Sequence, residues 1–359
     1  MNCFTNEKTM RVIILFLAIH TLVACSNPKK AGPQTAEADT AAPAISWLED
    51  WLSAWELIST EVLQLPEAAA PAMLFYDQKY VYTTSQVSAP DGVPFNGPSF
   101  FGTKLDWWMQ EHYDTLTIPD GQHVPVQLMT FAAPSSSPGS APFFVMAAPD
   151  FWKTAGIDSE EVGLEKMLTG VFLHEFSHAR QMNGLGERVS FLEQNGNFRY
   201  EVSDDLIQEY FSGDSSYVSA FKKEVELFYQ AAIARNTADR LKLSRQALAM
   251  YDQRQKFMSS LDSTLVELDD IFLTMEGTGQ YMIVSWLTHP RCKGGSVDLK
   301  TAIKATRRQK TWWSQDEGLA LSLLYQQLST QPDWAPFYTS HPVTLIESIR
   351  NELDQIAVE

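Results

Sequence analysis

Cysteine is nearly missing from this chain: Cys3, Cys25 and Cys292 are the only three in 359 residues. A framework of disulfides is therefore excluded as the source of stability. Basic side chains are also in short supply. Lys and Arg together number 27 against 44 Asp and Glu, for a net charge of −17. That balance argues against nucleic acid, or an anionic membrane face, as a partner. No internal repeat is present. Beyond the first twenty residues, no segment is long and apolar enough to suggest a membrane span. What remains is globular in composition, 45% hydrophobic and 20% charged, with enough chain for one large domain or two modest ones.

The N-terminus carries an address. Residues 12–19 (VIILFLAI) form a short apolar run after Lys8 and Arg11. This is the core of a signal peptide and is too short to span a membrane as a mature helix. Met10 offers an alternative start that would leave a more compact signal. The run ends in Leu22-Val23-Ala24-Cys25, which resembles the lipobox of bacterial lipoproteins. The resemblance implies cleavage after residue 24 and a lipid on Cys25. Ser26 is not the aspartate that often marks inner-membrane retention, so the implied location is extracytoplasmic, anchored to the outer membrane. With Cys3 removed and Cys25 acylated, Cys292 has no intramolecular partner. The mature chain holds 25 basic and 43 acidic residues. Residues 26–44 are rich in Pro, Ala and Thr and read as a tether that lets a catalytic domain stand off the membrane.

Periodicity divides the rest, residues 45–359. A first helix is expected over 45–65, with Trp47, Trp51 and Trp55 on one core-facing stripe. From 72 to 152 the pattern turns strand-like at 73–76, 80–83, 124–129 and 142–147, with Pro/Gly/Ser loops between. Residues 159–182 read as a helix capped by Asp158 or Ser159 and stopped at Gly184. Beyond Gly186 the chain reads as helical over 204–212, 217–235, 238–259, 265–287, 312–328 and 342–356. Asp316 and Glu317 fall at a capped helix start.

The stretch that carries chemistry is His174-Glu175-Phe176-Ser177-His178. Positions i and i+4 share a helix face, so both imidazoles can address one ion. Glu175, one step around, can take a proton from a water on that ion. By composition the pattern arises by chance in roughly one chain of this length in a hundred. It resembles the active-site helix of the zincin metallopeptidases. The resemblance implies Zn2+, a small N-terminal sheet (45–183 with the active-site helix) and a helical half (184–359), an α+β fold that is mainly α. It also implies an edge strand that binds extended substrate, for which Phe143–Ala147 is the candidate.

A catalytic zinc site needs a third protein ligand. The metzincin continuation is absent, because no ligand residue stands in place beyond Gly184. A distant carboxylate, the gluzincin arrangement, is left. Glu276 is the only charged residue in residues 271–287, and a lone carboxylate in an apolar helix demands a cation or strong donors. Gly277 and Gly279 beside it suit a close approach by another backbone. The run from Glu276 to Tyr281 resembles the Glu-Gly-x-x-x-Tyr segment of bacterial gluzincin-like hydrolases, and the helix around Phe221 and Glu224 resembles part of their insert. Against this, Glu276 lies 98 residues after His178, farther than in the best-known gluzincins. Glu201 is the rival ligand, with Asp204 and Asp205 as its bracing carboxylates or as a helix cap. Candidates for oxyanion stabilisation are Tyr281, placed first, then His289, Tyr338 and His341.

These readings converge on a lipid-anchored, zinc-dependent hydrolase that cleaves peptide or protein, with His174, His178 and Glu276 on the metal, and Glu175 and Tyr281 in catalysis. The alternative is a non-catalytic binding or assembly lipoprotein on the same scaffold.

Overall fold

The computed structural model describes residues 45–134, 141–309 and 311–358. The signal peptide, Cys25 and the tether fall on residues 1–44 and so lie outside the described residues. Among the described residues no helix is long and apolar enough to cross a membrane. The fold is α+β and mainly helical.

The chain enters through helix α1 (Ser46–Leu57), which ends in a π-turn, Ile58–Val62. Among the described residues eight strands follow: β1 (Ala72–Tyr76), β2 (Tyr80–Thr83), β3 (Val93–Phe95), β4 (Trp107–Glu111), β5 (Thr115–Thr117), β6 (His123–Pro125), β7 (Thr130–Ala133) and β8 (Phe143–Ala147). Six of them form one sheet in the order β3-β4-β2-β1-β8-β7; β5 and β6 pair as a separate hairpin. The β1–β8 pair is parallel, in register from Ala72–Phe143 to Tyr76–Ala147, and the other pairs among the described residues are antiparallel.

Helix α2 (Pro149–Thr154) leads to α3 (Leu164–Gln181), which crosses the sheet. Phe172 and Phe176, one turn apart, form its sheet-facing side. Phe172 lies 5.4 Å from the Trp51 ring and 5.6 Å from Phe144; Phe176 lies 4.7 Å from Trp55 and 5.6 Å from Phe144. The tryptophan stripe of α1 is thus core packing between sheet and helix. Such aromatic pairs contribute roughly 0.5–1.5 kcal/mol each beyond their buried area. Two residues of helix turn the chain by about 200°, so His174 and His178 point away from this aromatic layer.

They point at α8 (Ser263–Thr288), reached through α4 (Glu187–Asn195), α5 (Leu206–Phe211), α6 (Ser215–Ala232) and α7 (Thr237–Leu261). Helices α9 (Leu299–Thr306), α10 (Trp313–Leu328) and α11 (Leu345–Val358) complete the fold. Helix α8 is sandwiched between α3 and α10. A Cβ on Gly277 would stand 2.4 Å from the Gly318 carbonyl oxygen of α10, so only glycine permits that backbone contact. A buried Arg254 on α7 binds Glu224 of α6 (2.9 Å), Asp269 of α8 (2.6 Å) and Glu317 of α10 (2.8 Å). One cation pins four helices; removal of either side of such a buried pair costs ~3–5 kcal/mol.

Several expectations change. The active-site helix starts at Leu164, not at 159: Gly163 takes φ +77° and separates it from a turn in which the Gly163 N–H bonds the Ser159 carbonyl. Gly184 does not stop the chain. A π-turn, Met182–Gly186, carries it into α4, and Gly184 is there because a Cβ would meet the Thr339 carbonyl at 2.2 Å. Phe143–Ala147 is not an edge strand. It lies between β1 and β7 and is fully buried. The expected strand at 124–129 is split between β6 and the loop before β7. Asp316 and Glu317 do not cap α10, whose first flanking residue, Trp312, has no side-chain cap bond; they are spent on Arg307 and Arg254.

Candidate metal centre

His174, His178 and Glu276 meet where α3 and α8 cross. His174 Nε2 lies 3.1 Å from Glu276 Oε2, and His178 Nε2 lies 3.2 Å from Glu276 Oε1. The two Nε2 atoms are 3.0 Å apart. Among the described residues this is the one group of three or more His, Cys, Asp or Glu side chains with the spacing to hold a metal ion, all ligand atoms lying within 4.8 Å. Glu276 is fully buried, His178 likewise, and His174 is 3% exposed.

The hydrogen bonds around the group decide which way its lone pairs face. The Thr278 hydroxyl donates to the Thr274 carbonyl (2.9 Å), so its oxygen is free to accept. It accepts from the Gln181 amide nitrogen at 2.9 Å. That contact sets the orientation of the amide and leaves Gln181 Oε1 beside His178 Nδ1, 3.3 Å away. The Nδ1 must then carry the proton, and Nε2 presents a lone pair. A lone pair facing a carboxylate oxygen at about 3 Å is repulsive unless something positive lies between them. Among the described residues neither Glu276 oxygen has another donor. The buried donor set, two imidazole nitrogens and one carboxylate, therefore fits a cation of the zinc type. Without one, protons must take its place. Burial presses His178 down, but Glu276 more than offsets this and leaves its pKa at about 9. Burial holds His174 below its ordinary value despite the same carboxylate.

Glu175 is 1% exposed, and its Oε2 has no partner among the described residues. Burial pushes its pKa up to about 8; His178 pulls it down and Glu276 adds to the rise. Burial and Glu276 thus favour the protonated carboxyl and His178 the ionised one, a balance suited to general acid–base work. Asp204 and Asp205, half-buried on the loop into α5, lie within Coulombic reach of Glu276. Burial raises both, Asp205 to about 6. Asp205 is the residue that flanks α5, and it makes no side-chain cap bond.

The remaining candidates stand elsewhere. Glu201 is exposed. The Tyr281 hydroxyl donates to Gln326 (2.7 Å), and its ring stacks on Trp334 at 4.5 Å. Five residues turn a helix by about 140° past a full turn, so Tyr281 leaves Glu276 on a different face, and its expected role at the oxyanion is not supported. His289 faces Glu61 (3.7 Å) and His341 lines a cleft by α4. Tyr338 has its hydroxyl 2.8 Å from Ser177 Oγ of α3. The sequence reading missed Gln181 and Thr278. Their signal was present: a glutamine three residues after His178 and a threonine two after Glu276, both inside apolar helices.

Comparison of the chain with protein-family models, with curated proteins and with solved structures finds no match to any of them.

Proposed function

We propose that this protein is a metal-dependent hydrolase of gluzincin type, with a zincin-like core and zinc held by His174, His178 and Glu276, and that peptides are its substrates. One observation carries the reading: the Thr278–Gln181 relay aims a neutral imidazole lone pair at a buried carboxylate that has no other donor among the described residues. What a zinc-type ion supplies when bound is Lewis acidity toward a carbonyl and a water. The protein's own part falls to Glu175, which takes a proton from the attacking water at its unpartnered oxygen and delivers it to the leaving amine. Gln181 holds His178 in the ligating tautomer, and the Phe172–Phe176 side of α3 keeps the helix seated on the sheet. The lipoprotein motif at Cys25 supports an extracytoplasmic, membrane-anchored setting for the enzyme.

The closure of the site, with Glu175, His178 and Glu276 at most 1% exposed, supports the second reading, a non-catalytic binding or assembly lipoprotein with a structural metal. Glu175→Gln separates the two. It should keep one zinc per chain and lose peptide hydrolysis, because the glutamate is not a ligand. Equal turnover by mutant and wild type on any peptide that the wild type cleaves would refute the hydrolase mechanism.

A further inference from the structure

A cavity of about 300 Å³ opens against the same two helices, one turn from the metal centre. Its inner walls are Met167 and Val171 of α3 and Ile283 and Leu287 of α8. Val171 precedes His174 and Glu175 by three and four residues, so it stands directly above them on one helix face. Ile283 follows Glu276 by seven, on the continuation of the same stripe of α8, with Gly279 between. The cavity therefore lies along the same α3–α8 seam as the ligand set, with apolar side chains of both helices on that side of it.

Two cations line it: Lys166 of α3, whose side-chain end lies against Gly294, and Arg308. Arg307 and Arg308 follow α9 and have opposite fates. Arg307 is bound to Asp316 (3.1 Å) and Glu226 (3.4 Å). Arg308 lines the cavity and makes no hydrogen bond or ion pair with any described residue. The contact it has is the Trp312 ring, 5.8 Å from its guanidinium. It is half-buried, and its charge reaches His174. A half-buried guanidinium offers five donors and no acceptor, and beside apolar walls it is best satisfied by an anionic partner. In this chain acids outnumber bases widely, yet the acids around the cavity, Asp158, Glu160 and Glu161, are exposed residues of the turn at its rim, and Glu161 faces Lys304 at 3.3 Å.

We propose that Arg308 binds the free C-terminal carboxylate of the substrate, with the last side chain seated in the Met167–Val171–Ile283–Leu287 pocket. Calling that ligand a substrate rests on the hydrolase reading above. The protein would then act as an exopeptidase that removes an apolar C-terminal residue. An acidic side chain fits less well as the anion, because apolar walls flank the guanidinium. The planar fork of arginine matches a carboxylate in two parallel bonds.

The test does not need turnover. With metal removed by chelator, the affinity of the wild-type protein is measured by calorimetry for an N-acetylated tetrapeptide ending in leucine, as free acid and as amide. The same peptide amidated after a terminal glutamate asks whether a side-chain carboxylate suffices. The free acid should bind roughly 10- to 100-fold more tightly, the scale of a charge-assisted hydrogen bond. Arg308→Gln should abolish the acid-over-amide preference, Arg308→Lys should keep part of it, and Lys166→Gln, at the same cavity, should keep it whole. Equal binding of acid and amide by the wild type, an undiminished preference in Arg308→Gln, or tight binding of the amidated glutamate peptide would each overturn the proposal. Hydrolysis by the zinc-loaded protein is then scored separately. An acid preference without cleavage would sink the hydrolase reading and leave the carboxylate site standing. Cleavage of internal bonds in amidated peptides, with no acid preference, would do the reverse.

Discussion

Gly279→Ala is the sharpest perturbation of the metal centre that leaves every ligand in place. Gly279 lies on α8 one turn beyond Glu276, and the His174 ring rests on its backbone. A Cβ there would stand 2.7 Å from His174 Nδ1, 2.9 Å from Cε1 and 3.0 Å from Cγ. Ordinary contact begins near 3.4 Å, so the ring must retreat by about 0.7 Å. It has little room, since the His178 ring lies 4.6 Å away edge-on and the site is closed. Zinc tolerates about 0.2 Å in its ~2.0–2.1 Å bonds to imidazole nitrogen. The displacement exceeds that several-fold. Loss of support for a ligating histidine costs about 10- to 100-fold in metal affinity, and at least that much is expected here. The fold should suffer much less. Overpacking costs ~1–3 kcal/mol, and alanine in place of glycine in a helix returns ~1 kcal/mol, so the metal-free protein should lose no more than ~2 kcal/mol. The assay pairs zinc affinity, by competition with a chromophoric chelator, with urea unfolding of the metal-free protein. A Gly279→Ala protein that binds zinc as tightly as wild type would refute the argument that this glycine exists to seat His174.

Two further outcomes follow from the geometry. Glu276→Gln should lose zinc on dialysis against a mild chelator while the exposed Glu201→Gln keeps it; the opposite result would reverse the ligand assignment, and retention by both at wild-type affinity would remove the His-His-Glu site. Asp270, hydrogen-bonded by the Tyr251 hydroxyl, has its pKa raised by burial to about 7. A carboxyl whose folded-state pKa exceeds its unfolded value of about 3.9 contributes stability that is full below that value and is lost as pH rises through about 7. Asp270→Asn should therefore gain on the wild type in urea midpoint between pH 5 and pH 8, and an identical gap at both pH values would show that Asp270 is ionised throughout.

Much of this was legible in the chain because it depends on short-range spacing. The pairing of His174 with His178 is a consequence of helix pitch. Glu276 stood out because an unaccompanied carboxylate in an apolar helix is costly wherever that helix goes. The strands at 73–76, 80–83 and 142–147 announced themselves through apolar β-formers, as did the tryptophan stripe of α1 through its four-residue step. Short or polar elements did not: β3, β5, α4 and α9 depend on partners elsewhere in the chain, and local propensity is weak over so few residues.

What the tertiary structure alone decided is which faces meet. Sequence indicated that Gly277 and Gly279 needed close neighbours and suggested the metal-bearing helices for both. In the fold, Gly279 serves the His174 ring and Gly277 serves the backbone of α10 at Gly318. The central place of β8, the departure of Tyr281 toward Trp334, and the relay from Thr278 through Gln181 to His178 all depend on contacts between residues many positions apart. Spacing along the chain fixes angles about one helix axis; it says nothing of where a second axis crosses. The crossing of α3 and α8 brings His174, His178 and Glu276 together, and it also leaves Arg308 facing the cavity beside them.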